Sequence, residues 1–395
     1  MLLELHMIQN HAPANLNRDD LGAPKTAFFG GYPRARISSQ CLKRSIRTSD
    51  LFKTAMEGHI GTRTVFFPTQ VQDALANSQF SASDRKKIVQ ACEGIAKGED
   101  EGAKAKKKTG DEAADFGPKT GQLIHLGVRE AELFVEALWQ LYEEEDDHKL
   151  FKQFLKEPCP KKPSKYTERL AQAYQKTAVD VALFGRMTTS PAFQNVAAAM
   201  QVAHAISTHE AILEVDYFTA VDDAPHGRAG AGLVQEAQFV SATFYKYFSL
   251  HWEELVKNLG GDVDLARKTV TAFLDAAAKA IPSGKRNSYA NSNLPDAIMV
   301  EVKDQNVPTS YANAFVAPAR PHADRDGEHD IVSESIRMLA QYVRELSRGY
   351  AEPKTRLAFL TREKDADADF GKAKRKDTLG NLIGDAVKAL NGAEG

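Results

Sequence analysis

Residues 15–47, NLNRDDLGAPKTAFFGGYPRARISSQCLKRSIR, carry seven cations (Arg18, Lys25, Arg34, Arg36, Lys43, Arg44, Arg47) against two acids, Asp19 and Asp20. That surplus of five positive charges sits in a chain of 395 residues whose formal net charge is −2. A nearly neutral protein that concentrates its cations in one stretch presents them to a polyanion. The spacing sharpens the point. Ser38 or Ser39 is placed to N-cap a helix, and Gln40, Lys43, Arg44 and Arg47 then follow at i, i+3, i+4 and i+7. This puts the four on one face and leaves Leu42 and Ile46 for a core. The first-turn N–H groups of such a helix, beside two serines, add an anion site. A basic helical face can also be merely solvated, but the preceding loop argues for a ligand. Gly30-Gly31 lets a backbone come close, and Phe28, Phe29 and Tyr32 offer rings on which bases can stack. The expected ligand is a single-stranded nucleic-acid backbone.

Other chemistries find little support. His204, His209 and Asp216 do not make an i, i+4 ligand pair with a fixed carboxylate, and structural histidines are the plainer expectation. GGYPRAR, residues 30–36, lacks the spaced glycine and the Gly-Lys-Ser/Thr ending of a phosphate-binding P-loop. Nothing pairs Ser38 with a particular histidine. Cys41, Cys92 and Cys159 have no metal-ligand spacing and read as idle thiols of a reducing cytoplasm. No catalytic residue, metal site or cofactor is expected.

The chain is long enough for two or three domains. Hydrophobic residues at 43% and charged residues at 26% describe an ordinary globular protein. No run approaches the roughly 18 apolar residues that span a bilayer, and the N-terminus lacks the features of a signal peptide. A cytoplasmic protein without membrane contact is therefore expected.

The elements that must position these residues can be read in outline. LLELHMIQ is a strand over about 2–10, with Leu3, Leu5 and Met7 on its buried face and Glu4 and His6 on the other. A ligand-facing loop (11–37) and the basic helix (38–52) follow. From TRTVFFPTQ to about 182 the pattern is helical and polar. It is interrupted by a charged stretch, 97–121, that cannot support a core and is expected to be a mobile excursion. A helix over 127–143 has Leu133, Ala137 and Leu141 on one stripe. Another, DDHKLFKQFLKE, presents Lys149, Lys152 and Lys156 on a face that is by default solvated. NVAAAMQVAHAIS reads as a packed helix or a segment entering an extended arm. HEAILEVDYFTAVDD is a strand closed by the flexible APHGRAGAG. In the next strand, EAQFVSATFYKYFSL, Val240, Ala242 and Phe244 alternate with Ser241, Thr243 and Tyr245. WEELVKNLG is a short helix, and DLARKTVTAFLDAAAKAI a longer one with Ala266, Val270, Phe273, Ala277 and Ile281 on its buried stripe. IPSGKRNSYANSNLPD is loop, AIMVEVK a strand, and SESIRMLAQYVRELSRGY a final helix. No internal repeat is present. The order fits an α+β fold with a split ferredoxin-like core and two insertions.

Several ordered motifs add a resemblance. NRDD at 17–20, FGG at 29–31, RISSQCLKR at 36–44, GRMTTS at 185–190, AHAISTH at 203–209, DYFTAVDD at 216–223 and ANAF at 312–315 are similar to those of the CasC family, the repeated backbone subunit of type I-E CRISPR Cascade in the RAMP superfamily. The resemblance implies an RRM/ferredoxin-like palm (1–58, 183–204 and 237–330), an inserted helical finger domain (59–182), a thumb β-hairpin (205–236) and C-terminal helices closing the palm (331–395). It implies a non-catalytic subunit of an antiviral complex that polymerises along crRNA as a helical filament. Its partners are crRNA, target DNA, further copies of itself and other Cascade subunits. Asn17, Arg18, Lys25, Ser38, Ser39, Gln40, Lys43, Arg44 and Arg47 then lie at the RNA, while Met187, Phe218 and Thr219 wedge against it and force bases out of the stack. From spacing alone, Met187 and Phe218 read as core fillers. The lysine row, Lys149, Lys152 and Lys156, becomes a contact to DNA phosphates, and Lys285, Arg286 and Arg320 are further phosphate candidates. Two alternatives stay open. Asp19 or Asp20 could promote cleavage of a target RNA, as in related type III backbone subunits, although a loop carboxylate bonded to its own backbone or to Arg18 is the plainer account. The chain could also be a general single-stranded RNA-binding protein.

Lys43 and Arg47 project away from Leu42 and Ile46, so Lys43→Ala/Arg47→Ala is expected to weaken RNA binding without unfolding the protein. Losing two phosphate contacts should flatten the log–log salt dependence by roughly one to two. An unchanged slope in filter-binding titrations contradicts the assignment of this face.

Overall fold

The first strand, β1 (Leu2–Ala14), runs through the middle of a large sheet and is buried on both faces almost to its end. The structure, a computed structural model, describes the chain apart from residues 96–116, 144–147, 161, 174–177, 189, 222–230, 325–326, 351 and 391–395. Most of the expected 97–121 excursion and the APHGRAGAG tip thus lie outside the described residues. After β1 come β2 (Thr26–Phe29), β3 (Tyr32–Ile37), α1 (Ser39–Thr48), α2 (Asp50–Ala55), β4 (Thr62–Thr64), α3 (Phe67–Leu75) and α4 (Ala82–Glu93). Next are β5 (Ile124–Leu126), α5 (Glu130–Glu143), α6 (Lys149–Lys156), α7 (Lys165–Ala173), α8 (Val179–Phe184), β6 (Met200–Val202), β7 (Ala205–Ser207), β8 (Glu214–Val221) and β9 (Ala231–His251). The chain continues through α9 (Trp252–Asn258), α10 (Val263–Lys279), α11 (Arg286–Tyr289), β10 (Ala297–Lys303), β11 (His322–Asp324), β12 (Gly327–His329) and α12 (Ile331–Gly349). It closes with β13 (Thr355–Leu360), β14 (Lys374–Arg375) and α13 (Leu379–Leu390). The fold is α+β. No helix among the described residues is long and apolar enough to cross a membrane.

The chain forms two compact units, one of residues 1–55, 200–253 and 267–395, the other of 56–199 and 254–266. The second unit therefore runs on through Ala199, past the 182/183 boundary expected for the fingers. In the first unit the sheet order is β14-β13-β10-β1-β9-β7-β3-β2, with β6 and β8 also on β9. Leu5 faces Val300 on one side and Phe248 on the other, both antiparallel.

The alternation in β1 suggested one buried face, but Glu4 and His6 are fully buried too. Their face is covered by a polar layer in which each charge has a partner, as burial demands. Tyr247 and the Thr309 N–H donate to Glu4, and Lys303 ion-pairs with it. The Tyr245 hydroxyl lies 2.8 Å from His6 Nδ1. Arg356 Nε donates to Glu301 at 2.6 Å, and Tyr311 adds a bond at 3.0 Å. Burial, then the Lys303 and Arg356 charges, hold the His6 pKa well below the usual imidazole value. In β9 the expected alternation also ends early: from Ala242 to Leu250 every residue is buried.

Several segments differ from expectation for identifiable reasons. NVAAAMQVAHAIS contains strands β6 and β7 rather than a helix, because pairing with β9, as in Met200↔Leu250, overrides the helix propensity of its alanines. The loop over 11–37 contains the β2–β3 hairpin. The helix expected over 38–52 breaks at Ser49, whose extended backbone ends α1 and whose hydroxyl accepts the Phe52 N–H of α2. In α5, Phe134, Leu138 and Leu141 are buried while Leu133 is only partly so. Region 331–395 is not helices alone: after α12, β13 and β14 extend the sheet beyond β10. The α10 stripe (Ala266, Val270, Phe273, Ala277) is buried as read, and so is Ile281, which falls just beyond the end of the helix.

The second unit packs helices around aromatic rings, with Phe134 edge-on to Phe67 and Phe154 at 5.2 and 5.7 Å. A short β4–β5 ladder flanks them.

Arg356→Met should leave Glu301 buried without its guanidinium and lower stability by about 3–5 kcal/mol. Adding Glu301→Leu should restore most of the loss in urea denaturation, and no recovery would show that the pair is not the source.

Candidate nucleic-acid interface

Helix α1 starts where Ser38, in extended conformation, accepts the Cys41 N–H at 3.3 Å. Leu42 and Ile46 are buried as the spacing required, Gln40 and Arg44 are exposed, and Ser39, Lys43 and Arg47 are half-buried. Burial lowers the Lys43 pKa from the ordinary lysine value. The chain before the helix is tied to this N-terminus. Asn17 Oδ1 accepts the Ser38 N–H at 2.8 Å, and the Lys25 N–H donates to the Asn17 carbonyl at 2.9 Å. Asn17 therefore positions the loop through its side chain. Asn15, which sequence reasoning did not single out, is buried and donates to the carbonyls of Gly22 and Gln238, both at 2.9 Å.

Between these anchors residues 18–24 form a tight loop. One Asp19 carboxylate oxygen accepts the Leu21 and Ala23 N–H groups at 3.0 and 2.9 Å, the arrangement expected of a turn-forming Asp. Arg18 and Asp20 are exposed. With Arg44, Lys279 and Arg286 they line a cleft of about 820 Å³ within the first unit. Arg286 is thus brought beside the basic face, while Lys285 and Arg320 do not line this cleft.

The FGG turn and one of the cations have a different role from the one expected. Gly30 and Gly31 have φ of +61° and +86° at the β2–β3 turn. A Cβ on Gly30 would lie 2.0 Å from the Val316 carbonyl oxygen, so the close approach is to this chain's own backbone. Arg34 is fully buried and donates to the carbonyls of Ser207, Thr208, Phe315 and Val316 at 2.7–3.2 Å. It is lost to any phosphate. Phe29 and Tyr32, offered as stacking rings, are partly buried with the Arg34 guanidinium 5.8 and 6.0 Å from their centres, whereas Phe28 is 83% exposed. Arg36 donates to the Thr26 carbonyl at 3.1 Å and lies 3.2 Å from His204 Nδ1.

Both ring nitrogens of His209 are used, against the Glu210 carbonyl and the Thr243 N–H, so the structural reading of that histidine holds. Among the described residues, one buried trio (Glu4, His6, Glu301) brings metal-ligating atoms within 4.8 Å of one another. The fit to a divalent ion is poor, because Lys303 already pairs with Glu4 and lies 3.7 Å from Glu301, and Arg356 covers the same carboxylate. Two ammonium and guanidinium charges neutralise the two carboxylates and would repel a third cation.

Met187 is 96% exposed and Phe218 40% exposed, with Thr219 exposed beside it on β8, so none is a core filler. Met187 belongs to the second unit, Phe218 and Thr219 to the first. Lys149, Lys152 and Lys156 are exposed on α6, whose Phe151 and Phe154 are buried.

The chain matches the CT1975-like protein family over residues 3–385. Among solved structures it is similar to a chain described as "CRISPR RNA-guided surveillance complex, pre-nicking", with 29% identity, a TM-score of 0.76, and coverage of 98% of this chain and 100% of that one. A second chain, described as "CRISPR RNA-guided surveillance complex", is 25% identical with a TM-score of 0.67 and the same coverage. No curated protein is detectably similar in sequence.

Asn17→Ala removes the acceptor of the Ser38 N–H, a loss of about 1 kcal/mol locally. Hydrogen exchange at the Ser38 amide should accelerate while the Cys41 amide, still capped, stays protected. Equal protection of Ser38 in both proteins contradicts the role given to Asn17.

Proposed function

The chain belongs to the CT1975-like protein family, and from that premise we propose that it binds a CRISPR guide RNA as a subunit of an RNA-guided surveillance complex. The observation that carries this is the end-to-end likeness to a chain of such a complex. The first unit supports it. Its central strands run β10-β1-β9-β7, all antiparallel, with α1 after β1 and α10 after β9, which is the order of a ferredoxin-like palm. Arg18, Lys25, Lys43, Arg44 and Arg47 hold phosphates, and the first turn of α1, with Ser38, Ser39 and Gln40, supports one of them. The finer reading is a type I-E Cascade backbone subunit of antiviral defence. Copies pack head to tail along the guide, a heterologous contact that does not close. Sequence specificity is left to pairing between guide and target DNA. Met187, Phe218 and Thr219 shape the RNA by interrupting its stack, and the exposed α6 lysines contact DNA phosphates.

The backbone does not cut. The Asp19 carboxylate accepts two N–H groups of its own loop, which ties it to holding that loop. Purified protein should leave guide and complementary RNA intact in magnesium or manganese. Evenly spaced cuts that disappear with Asp19→Ala or Asp20→Ala would make the type III-like reading correct. Sequencing the RNA that co-purifies from the host should return repeat-derived guides, whereas a mixture of cellular RNAs favours a general single-strand binder.

A further inference from the structure

Met187 sits in an unusual setting. It is almost wholly exposed, yet both of its neighbours are fixed. Arg186 is 8% exposed, and its Nη1 lies 2.7 and 2.8 Å from the two carboxylate oxygens of Glu130, itself 4% exposed. The same nitrogen donates to the His125 carbonyl at 3.1 Å, and Nε donates to the Gln194 carbonyl at 2.9 Å. The guanidinium carbon lies 5.7 Å from the centre of the Phe193 ring. Glu130 also accepts the Gly127 N–H just before α5. The backbone is held equally firmly. Arg186 and Val196 exchange both N–H bonds, at 3.0 and 2.9 Å, and the Thr188 N–H donates to Asn195 Oδ1 at 2.7 Å. Gly185, at φ +80°, makes the turn into this bridge, where a Cβ would meet the Val196 carbonyl at 3.0 Å.

A buried ion pair adds little net stability over apolar side chains of the same size, so what it supplies here is orientation. An apolar residue exposed on a fixed base gains nothing from the core, but its backbone needs no further ordering when it enters a stack of bases. We infer that Arg186 and Glu130 are positioning residues that hold Met187 out as a rigid wedge against the guide RNA. This rests on the reading of Met187 as an RNA-shaping residue.

The test uses the full chain assembled on a synthetic unstructured single-stranded RNA long enough for several copies. Backbone acylation is read at each nucleotide for wild type, Met187→Ala, Arg186→Lys and Glu130→Gln. Wild type should show evenly spaced reactive nucleotides, and Met187→Ala should lose them. Both anchor variants should lose them nearly as fully, with RNA affinity reduced no further than in Met187→Ala. In the RNA-free protein, trypsin should cut after Arg186 faster in Glu130→Gln than in wild type. A merely structural pair would instead lower melting temperature and affinity together while the spacing persisted in the complexes that form. Spacing kept in both anchor variants but lost in Met187→Ala overturns the positioning role and leaves the RNA reading intact. Spacing kept in Met187→Ala removes the wedge and this inference with it. If Arg186→Lys does not fold, Glu130→Gln decides through the spacing and the tryptic cut.

Discussion

The buried guanidinium of Arg34 is the interaction on which the β2–β3 side of the first unit depends. It has four carbonyl oxygens, and among the described residues no carboxylate, within bonding distance. A buried cation is tolerated where most of its N–H groups are satisfied, and here both terminal nitrogens donate to carbonyls while Nε has no partner among the described residues. Burial lowers its pKa from the usual guanidinium value, against the raising effect of the Glu210 charge. The bonds join segments far apart in the chain: β3, the AHAISTH stretch at 207–208 and the ANAF stretch at 315–316. Two of the sequence motifs thus turn out to be receptors for one side chain, and the FGG turn of a third closes over Val316. Removing the guanidinium would take a donor from carbonyls in two of these segments at once.

From that anchor the site is built outward by backbone bonds. The β2–β3 hairpin lies against β7, the Arg36 N–H donates to the Lys25 carbonyl at 2.8 Å, and Lys25 is bonded back to Asn17. Asn17 in turn reaches the first residue of the α1 cap. The cations of 15–47 therefore divide. Arg34 is structural, Arg36 is shared with Thr26, and Arg18 and Arg44 open toward the cleft. A count of charge could not divide them, because a guanidinium's surroundings are a tertiary property.

The same economy governs the core. Beneath α12, Glu4, His6 and Glu301 are buried only because Lys303, Arg356 and three tyrosines meet them there. On the other face of β1, Lys246 is buried against Gln9, and burial brings its pKa down to about 8. Polar residues in a central strand are compatible with the fold when the covering layer is itself polar and matched in charge.

What the sequence by itself determined was local. A serine cap at Ser38 or Ser39, the split of α1 into Leu42/Ile46 and a polar face, the α10 stripe and strand β10 all follow from contacts within a few residues, which periodicity reports directly. The exposed, basic character of α6 followed for the same reason. Tertiary structure alone decided that β1 and the 242–250 part of β9 are covered on both faces, that alanine-rich residues 200–207 pair as strands, and that Arg34 is structural. It also decided that Met187 and Phe218 stand exposed. Each of these depends on partners far away in the chain, such as Tyr247 for Glu4 and Leu250 for Met200. Burial of a strand face or a charge is set by whatever covers it, and no local spacing records that.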